Sequence, residues 1–215
     1  MTRPPLTDRQ IDRAEAASSG DPAGLARQFE DWAADPQPGD VDDTGTLLVR
    51  ASEAWVRAGE HERAVDAARR AVDTGHEVPP NTRCFLVDAL LAAGRVEEAD
   101  ALAGELRRVR GGDTFVLLFL GESYEERAHS AKAHRWFTMG LTAAERHGDP
   151  AGAVPSLLAA RFRVRRDLEL PYDALDEEYA DTVVEELEED GVDVAAEAAA
   201  LMQEDGSNPD AFFRP

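Results

Sequence analysis

The sequence predicts an all-α protein, a row of helix–turn–helix pairs with further helices at both ends, and three observations lead there. Hydrophobic residues are 43% of the chain and charged residues 31%, the balance of a folded protein, while alanine is abundant and β-branched and aromatic residues are sparse, which favours helix over sheet. A motif recurs at a fixed spacing. Gly59-Glu-His-Glu-Arg-Ala64 aligns with Gly94-Arg-Val-Glu-Glu-Ala99 at an offset of 35, and Ala99 aligns with Ala133 at an offset of 34. Helix start and stop residues fall at the ends of the segments this period marks out.

The elements follow in order. Thr7 can cap a helix to about Ser19, with Ile11, Ala14 and Ala17 on one stripe. Asp21 caps a second helix that starts on Pro22 and turns Leu25, Phe29 and Trp32 inward. A Pro/Gly/Asp linker over 35–43 closes this N-terminal segment, 1–44. The repeats occupy 45–146. Unit one has helices near 45–58 and 61–74, unit two near 81–93 and 96–109, and unit three near 114–127 and 130–146. Asn81 and Asp113 or Thr114 serve as N-caps. Gly59 and Gly94 sit between paired helices, where a left-handed residue ends the first helix without a Cβ clash. Pro79 and Pro80 end unit one.

Over 45–146 these units resemble the tetratricopeptide repeat family. Unit three carries Leu117, Leu120-Gly121, Tyr124, Ala133 and Phe137; unit one carries Leu48, Ala51-Ser52, Trp55, Ala64 and Ala68; unit two carries Leu86-Val87, Leu90, Ala99 and Ala103, with Arg83 where the family has a large apolar group. The family's proline at the end of the second helix is missing at its place in all three. The resemblance implies a right-handed α-solenoid of antiparallel helix pairs that binds proteins. It implies a concave groove lined by Val49, Glu53, Val56 and Arg57 from unit one, Cys84, Asp88 and Leu91 from unit two, and Phe115, Leu118, Glu122 and Glu125 from unit three. Family members that clamp a chaperone's terminal carboxylate use basic residues and asparagines there. Here those places hold Val49, Glu53, Phe85, Phe115 and Phe119, so a peptide or helix with basic and apolar residues is the expected partner. Actinobacterial tetratricopeptide proteins are also similar, and the preference for arginine over the single Lys132 fits a GC-rich genome; the Cys-rich metal motif some of them carry is not in this chain.

Beyond the repeats, Gly148-Asp-Pro-Ala-Gly152 echoes Gly20-Asp-Pro-Ala-Gly24, and both read as an Asp cap followed by a Pro start. A helix to about Asp167 carries Leu157, Leu158 and Phe162 together with Arg161, Arg163, Arg165 and Arg166. Pro171 breaks it, and a helix over about 172–189 spaces Leu175, Tyr179, Val183 and Leu187 by four. The segment 147–192 reads as a degenerate fourth repeat or a cap. An acidic helix and tail, 193–215, completes the chain, with a helix near 193–204 and Phe212 and Phe213 at its end.

Charge narrows the function. The net charge is −21, and residues 167–215 hold 17 acids against Arg214, leaving 27 acids and 22 bases in residues 1–166. Nucleic acid and anionic membrane are disfavoured as partners. The arginines of 161–166 are expected to pair with the acids that follow, such as Asp176, Glu177 and Asp181. Glu177-Glu178, Glu185-Glu186 and Glu188-Glu189 read as solvated faces. The acid block can also act by itself, as a polyanion mimic for a basic protein or as a segment that closes the groove. Cys84 is the only cysteine, no signal or membrane-length apolar run is present, and a cytoplasmic protein is expected. No catalytic or metal-binding constellation emerges. His61-Glu62 and His76-Glu77 lack the second histidine of a zincin, His129 and His134 are poorly spaced for one helix face, and Cys84 fits as a small apolar residue. Neither an enzyme nor a cofactor is expected, and the oligomeric state is left open.

Overall fold

A computed structural model describes residues 3–18 and 20–189, with side chains as far as residue 184. The expected helix near 193–204 and Phe212 and Phe213 lie outside the described residues. The described residues form ten helices and no strand. They belong to two compact units, Met1–Leu168 and Glu169–Pro215, so the division falls inside the segment expected to be one repeat or cap.

The first unit opens with α1 (Asp8–Ala17) and α2 (Pro22–Ala34). Thr7 and Gln10 form a reciprocal capping box on α1, and Asp21 accepts the Gly24 amide at 2.7 Å to cap α2. The linker is tied down: the Asp40 carboxylate takes Arg3 at 2.6 Å and the amides of Leu6 and Gln37 at 2.7 and 2.8 Å. Hydrogen bonding to Arg3 pulls its pKa far below the usual carboxylate range.

Three pairs follow: α3 (Thr44–Arg57) with α4 (His61–Asp73), α5 (Thr82–Ala92) with α6 (Val96–Arg110), and α7 (Thr114–Glu126) with α8 (Ser130–His147). A helix and its successor joined by so short a turn must run antiparallel. Gly59 and Gly94 take φ of 74° and 71° in two of these turns, and Ala128 takes 58° in the third, a left-handed backbone that a side chain resists. Each first helix packs on its own second helix and on the first helix of the next pair. That pattern makes the first unit an array of tetratricopeptide-like pairs rather than a bundle. Ala64, Ala99 and Ala133 are wholly buried where paired helices approach. Ser52 donates to the Ala64 carbonyl at 2.9 Å, and at the equivalent place in unit three a Cβ on Gly121 would run into the Phe137 ring.

The array continues into α9 (Val154–Asp167), which packs on α8 and α7. Its start differs from expectation. Pro150 does not open a helix; residues 150–153 turn, Asp149 accepts Thr114 Oγ1 at 2.6 Å and the Val154 amide at 2.8 Å, and Pro155 lies in the first turn. The same five residues begin a helix directly at 20–24 but not here, because the Asp149 carboxylate is held by a neighbouring repeat. In the second unit, α10 (Ala174–Glu189) starts behind Asp173, whose carboxylate accepts the Leu175 amide at 3.2 Å.

Candidate protein-interaction groove

The groove strip on α7 is Phe119, Glu122, Ser123 and Glu126, spaced i, i+3, i+4 and i+7 so that one helix face carries all four. With Glu53, Val56 and Arg57 of α3, Asp88 of α5 and Glu15 of α1, it lines a hollow of about 460 Å³. Phe119 stands edge-on to the buried Phe85, ring centroids 5.0 Å apart, so α5 and α7 are locked beneath the floor.

Glu53, Asp88 and Glu122 occupy one position in three successive repeats and form an acidic ladder. Burial pushes Asp88 up to about 6, against the pull of Arg127, whose guanidinium lies 3.5 Å away, and with the push of Glu126. Both Glu53 and Glu122 reach solvent, yet desolvation by the walls of the hollow raises Glu53, against Arg57 and with Asp88, and raises Glu122 together with Glu125 and Glu126, against Arg163. Closely set carboxylates in a concavity hold their charge at a cost that a cation would relieve.

Five of the eleven expected groove residues therefore share this hollow: Glu53, Val56, Arg57, Asp88 and Glu122. Six do not. Val49, Cys84 and Leu118, again one repeat position, are buried, as is Leu91. Each member of that trio lies four residues before a ladder carboxylate, about one turn along the same side of its helix, at a level where the side chain is covered. Glu125 is held by Arg163 of α9 through two hydrogen bonds of 2.7 and 2.9 Å. This is also where one arginine of 161–166 is engaged; Arg161 and Arg165 are buried. Phe115 is 43% exposed but lies with Pro79, Pro80 and Val109 at the helix ends, away from the groove. Phe119, Ser123 and Glu126 were open to reading from the periodicity of α7. Glu15 was not, since it arrives from another helix pair, where it meets Arg50 at 2.9 Å.

Burial raises the Cys84 thiol to about 12, so at neutral pH it is a protonated core residue. Among the described residues no group of three or more His, Cys, Asp and Glu is placed to hold a metal ion, and no helix is long and apolar enough to cross a membrane.

No family model matches the chain, and no curated protein matches it. The chain is similar to a solved structure of MamA AMB-1, at 16% identity and a TM-score of 0.40, over 89% of this chain and 93% of that one.

Proposed function

We propose that this protein is a non-catalytic adaptor whose concave groove takes a peptide or helix of a protein partner bearing basic and apolar residues. The acidic ladder of Glu53, Asp88 and Glu122 carries the reading: the same charge recurs once per repeat beside the apolar Val56 and Phe119. An amphipathic segment would lay its apolar side chains on those two and its cations along the ladder. The chemistry is electrostatic and apolar recognition, with no bond made or broken.

A labelled amphipathic peptide of lysine and leucine, followed by fluorescence polarisation, tests this. Glu122→Arg is expected to weaken binding by about tenfold or more, because a like charge then faces the ligand's cations. Affinity for the wild type is expected to fall as pH drops through about 6, where Asp88 takes up a proton. An unchanged affinity in Glu122→Arg would remove the groove from the interaction.

A further inference from the structure

We propose that the opposite side of the array, formed by the second helices, is a separate docking surface for an acidic polypeptide segment. This goes beyond the groove reading and does not depend on it. Two hollows there are built from the same parts. In the first, of about 420 Å³, Trp55 Nε1 donates to Glu30 at 3.3 Å and the Arg63 guanidinium stacks 4.8 Å from the Trp55 ring centroid. In the second, of about 240 Å³, the Tyr124 hydroxyl donates to Asp100 at 2.6 Å and Lys132 stands 5.5 Å from the Tyr124 ring centroid.

The carboxylates inside are largely spent. Glu30 also binds Arg70 at 2.6 Å, and Asp100 also binds Lys132 at 2.6 Å. Four arginines are left, Arg27 and Arg63 in the first hollow and Arg107 and Arg135 in the second, with no carboxylate partner among the described residues. Among those residues Arg107 meets only the Met139 sulfur, at 4.0 Å. Asp66 is the remaining acid of the first hollow, so each hollow keeps an excess of cations inside a chain of net charge −21.

Guanidinium pairs bind carboxylates through paired N–H groups, and the stack on Trp55 holds Arg63 in place before a ligand arrives. The hollows are two repeats apart. Repeats whose first helices pack about 10 Å apart put them at least ~20 Å from each other, a span of about six or more extended residues. A short run of Asp and Glu can reach both. A long phosphate polymer would meet the acidic remainder of the chain and be repelled.

The experiment uses the full chain and a peptide with two glutamate blocks joined by a Gly-Ser spacer of about six residues. Polarisation and tryptophan emission report binding, since Trp55 and Trp136 line the two hollows. The expected result is saturable, salt-sensitive binding, weakened about tenfold by Arg27→Glu with Arg63→Glu and likewise by Arg107→Glu with Arg135→Glu. The neutral Arg27→Gln with Arg63→Gln pair should weaken it less, and Glu122→Arg in the groove should leave it unchanged. Far-UV circular dichroism checks that each variant is helical. The proposal is overturned by absent saturation, by charge-reversed variants that bind as well as wild type, or by an equal loss in the exposed control Arg146→Glu. Displacement of the peptide by pyrophosphate at lower concentration than by unlabelled peptide also overturns it, in favour of a phosphate site.

Discussion

On the concave side, Glu53, Asp88 and Glu122 keep one charge at one position through three repeats. On the opposite side, a single repeat position reads Arg63, Glu98, Lys132, and the aromatic beneath it reads Trp55, Leu90, Tyr124. The middle repeat reverses the charge and drops the ring. Glu98 there answers to Arg95 at 2.7 Å and Arg69 at 3.4 Å instead of resting over an aromatic face. The frame under both faces is the same, with Ala64, Ala99 and Ala133 all buried. Packing therefore demands small residues in every repeat, whereas the two surfaces are free to follow different rules. The groove is continuous, and the second-helix face is interrupted.

The sharpest break in this contrast is Trp55→Ala. Trp55 is 1% exposed, so the change opens a cavity and leaves Glu30 and Arg63 without their ring. A loss of about 3–5 kcal/mol is expected in urea unfolding. A much smaller loss would mean that the ring belongs to the surface and not to the frame.

Asp88→Asn separates the groove from stability. The folded pKa of Asp88 is raised to about 6 from 3.8, so its stabilising contribution is complete below the unfolded value and is lost as pH rises through about 6. The amide variant is expected to be more stable than wild type at neutral pH by on the order of 1–2 kcal/mol, with the gap closing towards pH 4, while binding the basic peptide less well. Denaturant melts at the two pH values measure this, and a variant less stable at neutral pH would show that the Arg127 contact outweighs burial.

The smallest expected effect concerns the turns shared by both faces. Ala128 holds φ of 58° where repeats one and two have glycine. Ala128→Gly is expected to stabilise by about 0.5–1 kcal/mol, strain relief less the extra freedom of the unfolded chain. Thermal unfolding checks it, and the same change should leave both ligands' affinities as they were.

Much of the fold was open to a reader of the sequence. The six repeat helices lie within a residue or two of expectation, because caps such as Asp113 and stops such as Gly94 act through neighbours in the chain. The second proline-bearing start failed, since Asp149 is claimed by Thr114, which lies 35 residues away in sequence. The ladder was legible as residue types on the first helices. Its limits were not: Val49, Cys84 and Leu118 share those helices and turn inward.

The sequence alone determined that the chain is helical, where the repeats fall and which small residues let the helices meet, all matters of local propensity and period. Only the tertiary structure decided which part of each helix faces outward, since Val49 and Glu53, one turn apart on the same side of one helix, differ in what their neighbours cover. It also decided which charges are spent. Glu30 and Asp100 look like ordinary surface acids until a ring from the next repeat donates to them, and ion pairs across repeats follow spatial neighbours that no stretch of chain reveals.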